Sequence, residues 1–166
     1  MKSTNKISFD NIAKNIINKD KFNKLKYESH HGLTRYNHVL RVSKFTYKIT
    51  KFLKMDYVSA TRAALLHDYY TQSDLENISE IKKLNMHPYV ASKNALKDFN
   101  LNKKELNAIE SHMFPLGKTL PKYAESWVLT TVDKSVATYE QYKFKWKNAL
   151  TVYTIFIINM ILFGQK

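Results

Sequence analysis

Four histidines and two aspartates form an ordered series along the chain, with a helix-sized interval between most successive members. An ionised carboxylate is costly to bury unless a partner or a metal ion compensates its charge. Imidazole and carboxylate groups that several helices bring together are typical of a metal site. The fold therefore has to bring distant parts of the chain to one centre. The series consists of His38, His67, Asp68, His87, His112 and Asp133.

Glycine and proline are scarce, and apolar residues recur mostly at intervals of three and four. The chain has three glycines and three prolines among 166 residues. Spacings of three and four are the period of an amphipathic α-helix. A chain of this length with 44% hydrophobic residues can bury one sizeable core. We expect an all-α, compact multi-helix bundle, a single domain over residues 1–166, with a metal site between helices.

Local signals predict where the first two helices begin and end. One helix is expected from Phe9 to about Lys26, capped by Ser8 or Asp10. A second is expected from Arg35 to about Lys54, capped by Thr34. Apolar residues at helical spacing predict the buried face of this second helix. That predicted stripe consists of His38, Val42, Phe45, Ile49 and Phe52.

Further helices are expected around the middle of the series. One covers about residues 59–68 and another about 103–112, so each ends at a histidine of the series. Pro88 suits the first turn of a helix, which places His87 at the start of that helix. Residues 69–86 are polar and are predicted to form a loop with one short helical turn around Ile78 to Leu84. This loop could shape the entrance for a substrate.

The C-terminal part of the chain differs from the rest because residues 149–163 are almost wholly apolar. We expect an apolar helix over 147–166. The stretch is shorter than the roughly 20 residues that a membrane-spanning helix needs. Two alternatives remain open: a helix buried in the protein or packed on a partner or a second copy, and peripheral attachment to a membrane surface. The lysines that favour attachment are Lys143, Lys145 and Lys147.

Composition narrows the ligands and partners. The absence of cysteine excludes disulfides, cysteine nucleophiles and thiolate metal sites, so a transition metal must be held by nitrogen and oxygen atoms. The net charge of +13 is compatible with nucleic acid. However, lysine, asparagine, isoleucine and tyrosine all have A/T-rich codons, and genome composition explains much of the charge. Nucleic-acid binding is therefore disfavoured, whereas a phosphorylated small molecule would be attracted. The charged N-terminus indicates no secretion signal, which favours the cytoplasm, with membrane association left open.

The series resembles the HD superfamily of metal-dependent phosphohydrolases, which is named for an adjacent His-Asp pair. The resemblance covers about residues 33–139 and leaves out the N-terminal helix within 1–32 and the apolar tail. His87 and His112 resemble the extra histidines of members that hold two metal ions, including the HD-type diadenosine tetraphosphate hydrolases. The segments that look like small bacterial HD proteins are residues 34–38, 63–68 and 111–116.

The resemblance implies a set of ligands for one or two divalent metal ions. Asp68 would bridge the two ions, and His87 and His112 would hold the second ion. Iron, manganese, zinc, cobalt and nickel all suit such ligands. The implied reaction is cleavage of a phosphate ester or anhydride by a metal-activated hydroxide. The ligands implied for the first ion are His38, His67, Asp68 and Asp133.

Two basic residues are expected to bind the substrate phosphate. Arg35 lies one helical turn before His38 and offers a bidentate fork. Lys134 follows Asp133 directly, although an exposed position on a lysine-rich surface is an equal alternative for it. Arg62 is expected to face solvent or an acidic neighbour. Together with the His-Asp pair, Arg35 and Lys134 complete the predicted catalytic residues.

The sequence lacks motifs of two branches of the superfamily, which narrows the range of expected substrates. The Gly-Tyr-Pro motif of the cyclic dinucleotide phosphodiesterases is absent, and residues 70–74 contain one acid where the alarmone hydrolases have a Glu-Asp pair. A nucleotide or dinucleotide polyphosphate is the preferred substrate class. The alternative is a regulator that binds metal or nucleotide without turnover and docks to a membrane or partner through its C-terminus.

Overall fold

A computed structural model describes residues 7–30 and 33–163 of the chain. The described residues form an all-α fold, which confirms the predicted fold class. Two short 3-10 helices and one pair of two-residue antiparallel strands, β1 (Ser29–His30) and β2 (Leu33–Thr34), connect the helices. The α-helices are α1 (Phe9–Ile17), α2 (Asp20–Lys24), α3 (Arg35–Phe52), α4 (Tyr57–Leu66), α5 (Glu80–Asp98), α6 (Lys103–Ser111) and α7 (Ala124–Phe163).

Helix α4 lies at the centre of the bundle. It packs against α3, α6, α7 and α1, while α3 and α6 each also pack against α7. Ala60, Ala63 and Ala64 are fully buried on α4, and their small side chains let neighbouring helices approach closely. Leu65 and Leu66 complete the buried run directly before His67. The packing thus brings the C-terminal end of α4 into the core.

Side-chain caps fix where several helices begin. Ser8 accepts a hydrogen bond from the Asn11 backbone N–H, and Thr34 accepts one from the Asn37 N–H, which confirms both predicted caps. Asn102 caps α6 in a reciprocal box with Glu105. Each cap satisfies a backbone donor that has no partner within its helix.

The predicted first helix is interrupted, contrary to expectation. Helix α1 ends at Ile17, and α2 and a 3-10 turn (Leu25–Tyr27) follow after a break. The backbone of Lys19 is extended, so the helix cannot continue through it. The change of direction lets Phe22 and Leu25 reach the core, where both are fully buried.

The predicted stripe on α3 is only partly buried. His38 and Val42 are buried, but Phe45, Ile49 and Phe52 are exposed. The face that packs inward instead carries Thr46 and Thr50. Thr50 can be buried here because its hydroxyl donates to the Thr46 carbonyl 2.7 Å away on the same helix.

The prediction that Pro88 opens a helix is wrong. Helix α5 begins at Glu80, so Pro88 lies inside it and His87 lies in its middle. A proline removes one helical hydrogen bond and clashes with the preceding turn. Burial of Ala91 and Ala95 after the proline holds the helix against the bundle across this defect. The expected loop over 69–86 is correspondingly shorter, because most of the turn expected around 78–84 is the beginning of α5. The loop instead contains a 3-10 turn, Gln72–Leu75.

Helix α7 is 40 residues long and extends beyond the bundle. Residues 141–151, Thr154 and Ile155 are all exposed. Burial of the apolar tail within its own fold is therefore wrong for these residues. Among the described residues, no helix combines the length and apolar character that crossing a membrane requires. The predicted end of the tail, 164–166, lies outside the described residues.

Candidate metal centre

Five helices bring all six residues of the histidine and aspartate series to one buried centre. Helix α3 contributes His38, α5 contributes His87 and α7 contributes Asp133. His67 and His112 are the C-cap residues of α4 and α6, and Asp68 follows His67 directly. Each of the six side chains is buried, from fully for His38 and His67 to 8% exposed for His87.

Asp133 joins the two histidines on one side of the centre. Its Oδ1 lies 3.0 Å from Nε2 of His38 and 3.5 Å from Nε2 of His67. These three residues can place their ligand atoms within 4.8 Å of one another. This is a spacing that a single cation could share.

Asp68 joins the histidines on the other side. Its Oδ1 lies 3.6 Å from Nε2 of His87 and 3.8 Å from Nε2 of His112. Its Oδ2 lies 3.9 Å from Nε2 of His67. His67, Asp68 and His112 form a second group of potential ligands, so His67 belongs to both groups.

Three of the histidines are held in the same tautomer by their own helices. Nδ1 of His67 lies 2.7 Å from the Ala64 carbonyl, and Nδ1 of His112 lies 2.7 Å from the Ile109 carbonyl. Nδ1 of His87 lies 3.2 Å from the carbonyl of Lys83. A carbonyl can only accept, so Nδ1 must carry the proton in each ring. In the neutral form of each ring, Nε2 is then left with a lone pair directed at the centre, which is how histidine binds a metal ion.

A positive charge would stabilise the contact between His87 and His112. Their Nε2 atoms lie 3.0 Å apart. Burial lowers the pKa of both rings, that of His112 to about 3, so both are neutral near pH 7. With both Nδ1 atoms protonated, two lone pairs face each other. A cation bound by both nitrogens would remove this repulsion. Two nitrogens that each bind one metal ion at about 2.1 Å can lie no more than about 4.2 Å apart, and the observed separation of 3.0 Å is within this limit.

Glu140 is a member of the centre that the sequence analysis missed. Its Oε2 lies 2.8 Å from Nδ1 of His38, and its Oε1 accepts a hydrogen bond from Arg41. Glu140 is 2% exposed and follows Asp133 by seven residues, two helical turns, on the same face of α7. This spacing was the available signal for it.

The two carboxylates determine the charge on His38. Burial alone would lower the pKa of His38, but the hydrogen bonds to Asp133 and Glu140 outweigh it and raise the pKa to about 10. Burial would raise the pKa of Asp133, but the hydrogen bond from His38 and the nearby His67 ring hold that pKa well below its usual value. Asp133 is therefore ionised and attracts positive charge.

Arg35 lies beside Asp68 but is already engaged by other groups. Its Nε is 3.9 Å from Oδ2 of Asp68. Its Nη1 donates to the Tyr70 carbonyl at 2.9 Å and to Glu28 at 3.3 Å. The guanidinium also stacks on the Tyr70 ring, 4.0 Å from the ring centroid. Arg35 thus holds Tyr70 and Asp68 together at the edge of the centre.

The other two basic residues singled out in the sequence have defined partners. Nζ of Lys134 donates to the His112 carbonyl at 2.7 Å, and burial lowers the pKa of this lysine. Lys134 is thus half-buried with its amino group at the centre, while part of its side chain remains in contact with solvent. Arg62 pairs with Glu105 at 2.5 Å, which confirms an acidic neighbour.

A cavity of about 400 Å³ opens onto the centre. Besides the residues of the centre, its wall includes Arg35, Lys83 and Lys134. The remaining wall is partly apolar, with Leu75, Leu84, Met113 and Leu116 among its residues. The cavity is thus suited to a ligand with an anionic part and an apolar part.

The described donors fit a divalent transition metal ion. They are imidazole nitrogens and carboxylate oxygens, and several need a cation to offset buried charge or facing lone pairs. Among the described residues, Nε2 of His67 has no hydrogen-bond partner, as expected for a ligand atom. The protein-family model described as HD domain matches residues 35–143. Searches of curated proteins and of solved structures gave no match.

Proposed function

Because this chain belongs to the HD-domain family, we propose that it is a metal-dependent phosphohydrolase acting on a nucleotide or dinucleotide polyphosphate. The observation that carries this proposal is the approach of two neutral imidazoles, His87 and His112, with their Nε2 atoms 3.0 Å apart. A cation would stabilise such a contact, and both histidines line a cavity with basic walls. The family is generally one of metal-dependent hydrolases, and the basic walls suit a phosphate.

We assign the six residues of the series to two metal ions. The second ion is held by His87 and His112, and Asp68 lies between both groups of histidines. Bound divalent ions would polarise the phosphate and lower the pKa of a water molecule so that it can attack at neutral pH. The ligands assigned to the first ion are His38, His67, Asp68 and Asp133.

The surrounding residues bind and orient the substrate in this proposal. Arg35 and Lys134 neutralise phosphate oxygens at the centre, and Lys83 can neutralise a more distant phosphate. Glu140 and Arg41 hold the His38 ring in place from the side away from the cavity. The apolar wall around Leu84 gives a surface on which a nucleobase can pack. These features favour a nucleotide over a small free phosphate ester.

The activity is tested with a panel of nucleotides, dinucleotide polyphosphates and a generic phosphate ester, each with added manganese, iron or cobalt. Asp68→Ala is expected to abolish hydrolysis, because it removes the carboxylate proposed to bridge the two ions. Asp10→Ala, an exposed change in α1, is the matched control and should retain full activity. Absence of turnover with every metal, or activity that survives Asp68→Ala, would refute the proposal. Nucleotide that binds without forming product would instead indicate a regulator.

The number of metal ions is tested by metal analysis of the freshly purified protein. Two equivalents per chain are expected. His112→Ala should reduce this number to one, because His112 belongs to one side of the centre. A single equivalent of metal in the unmodified protein would indicate that His87 and His112 have a structural role.

A further inference from the structure

The distal segment of α7, residues 141–163, leaves the bundle that holds the metal centre. Glu140 is buried beside His38, but residues 141–151, Thr154 and Ile155 are exposed. The segment is nevertheless helical as far as Phe163. An isolated helix gains most of its stability from packing an apolar face against a neighbour. The described residues provide no such neighbour for these exposed positions.

Large apolar side chains of the distal segment face solvent. Tyr142 is 59% exposed, Trp146 53% and Leu150 58%. Ile155 and Phe144 are 54% and 45% exposed. Tyr142, Trp146 and Leu150 follow one another at intervals of four residues and share one side of the helix, whereas Phe144 and Ile155 lie on the opposite side. Exposed apolar surface on both sides of a helix marks a site of interaction. Tyrosine and tryptophan are enriched where one end of a side chain meets an apolar phase and the other meets water.

Positive charge accompanies the aromatic residues at the start of the distal segment. Residues 143–147 alternate lysine with aromatic residues, and all five are exposed. The sequence contains no aspartate or glutamate after Glu140. The almost wholly apolar stretch 149–163 follows directly. The segment therefore has a basic, aromatic beginning and an apolar remainder.

We propose that the distal segment binds the surface of a membrane rich in anionic lipids. Lys143, Lys145 and Lys147 pair with the headgroups, and Trp146 and Tyr142 lie at the boundary with the acyl chains. The apolar residues that follow enter the upper part of the acyl region. The stretch is shorter than about 20 residues, so the helix lies in the interface and does not cross it.

Charge favours a membrane over a second copy of the chain as the occupant of this surface. Each copy carries a net charge of +13, which includes the three lysines that it would bring to the contact, and the segment has no acid to neutralise them. Anionic headgroups supply the missing negative charge. A nucleic acid would also supply it, but it would leave the apolar stretch 149–163 uncovered.

Flotation of the full chain with lipid vesicles tests the proposal. The protein is expected to float with vesicles of phosphatidylcholine and phosphatidylglycerol at a 3:1 ratio, and to bind vesicles of phosphatidylcholine alone at least about tenfold more weakly. High salt should weaken binding to the anionic vesicles. In a Trp127→Phe protein, Trp146 is the only tryptophan, and its emission should shift to shorter wavelength on binding.

Two sets of substitutions separate the charged and apolar contributions. Replacing Lys143, Lys145 and Lys147 by glutamate should weaken binding at least about 100-fold, since each lysine contributes about fivefold. The matched control replaces three exposed lysines elsewhere, Lys14, Lys93 and Lys97, by glutamate and should retain binding. Leu150→Glu combined with Ile155→Glu should abolish the emission shift of Trp146.

Several results would overturn the proposal. Binding to neutral vesicles as strong as to anionic vesicles would show that the distal segment does not recognise anionic lipid. The same conclusion would follow if replacing the control lysines weakened vesicle binding as much as replacing Lys143, Lys145 and Lys147. A stable dimer in sedimentation without lipid, lost with Leu150→Glu and Ile155→Glu, would assign the surface to a second copy. Binding to a single-stranded oligonucleotide but not to vesicles would assign it to nucleic acid.

Discussion

The histidines of the centre differ in what holds each ring in place. His67, His87 and His112 donate Nδ1–H to carbonyls of their own helices, whereas His38 faces the carboxylate of Glu140. A carbonyl fixes the orientation of the ring, while a carboxylate also makes the ring a stronger electron donor. His38 should therefore be the histidine most sensitive to its outer partner.

Glu140→Gln is expected to weaken metal binding about 10- to 100-fold, because it removes the negative charge behind His38. Calorimetric titration with manganese or cobalt measures this change, and thermal unfolding checks that the fold is retained. Glu76→Gln, at an exposed position, is the matched control. Equal affinities of the Glu140→Gln and unmodified proteins would show that Glu140 is not coupled to the metal site.

Lys134→Met is expected to raise KM for the substrate about 10- to 100-fold, the range for loss of one charged hydrogen bond. The metal content should remain unchanged, because Nζ of Lys134 bonds to the His112 carbonyl and not to a ring nitrogen. Steady-state kinetics measure the effect, with exposed Lys93→Met as the control. Loss of a metal equivalent in Lys134→Met would instead point to a structural role.

The six residues of the series could be singled out from the sequence because buried charge and ordered spacing are visible there. Glu140 could have been found from its two-turn spacing to Asp133. However, it stands at the beginning of a lysine-rich stretch, which predicts an exposed position. Phe45 and Ile49 are predicted to be buried because the sequence offers only hydrophobicity and spacing to identify the buried face of α3. Which face of α3 packs inward depends on α4 and α7, and the local sequence does not record that.

At the scale of elements, the 3-10 turn Gln72–Leu75 shapes the mouth of the cavity. Gln72 and Leu75 line the cavity, and Asp74 fixes the turn from behind. Asp74 accepts from the Thr71 backbone N–H at 2.8 Å, pairs with Lys21 at 2.9 Å and accepts from Asn94 at 3.2 Å. One carboxylate thus ties this turn to α2 and α5.

Asp74→Asn is expected to lower the free energy of unfolding by about 1 kcal/mol at pH 7. Burial would raise the pKa of Asp74, but hydrogen bonds from Thr71 and Lys21 outweigh it and lower the pKa below 3.8. A carboxylate whose pKa falls on folding stabilises the protein above its unfolded pKa and loses this effect as the pH falls through the folded pKa. Urea unfolding should show the difference at pH 7 and its decline below about pH 4. A difference that is constant over this range would contradict an ionic role for Asp74.

Helix ends were predictable where a side chain caps them and unreliable where packing overrides propensity. Ser8 and Thr34 begin α1 and α3 as their cap chemistry indicates. Pro88 was expected to begin a helix, but burial of the residues after it outweighs one missing hydrogen bond. No glycine or proline marks the break at Lys19 in the sequence. The break arises from tertiary packing, because it allows Phe22 to be buried.

At the scale of the whole molecule, the metal centre is the point where five helices meet. A ligand that binds only the folded state stabilises it in proportion to the logarithm of its excess over Kd. Adding metal at about 100 times its Kd should stabilise the protein by about 2.7 kcal/mol. For a chain of this size, that corresponds to a rise in Tm of about 5–10 °C. A chelator should reverse the rise in a calorimetric scan, and a Tm that does not respond to metal would contradict a centre shared by these helices.

The position of His67 and His112 at the C-terminal ends of α4 and α6 has a consequence for the order of binding. The C-terminal end of a helix carries partial negative charge, and two such ends meet here beside Asp68 and Asp133. A phosphate attracted by the basic cavity wall would still meet repulsion from all four where it reaches the unmetallated centre. We therefore expect a compulsory sequence of loading, with metal first and nucleotide second. A non-hydrolysable nucleotide analogue should show no measurable binding to chelator-treated protein, and affinity should appear only after metal is restored.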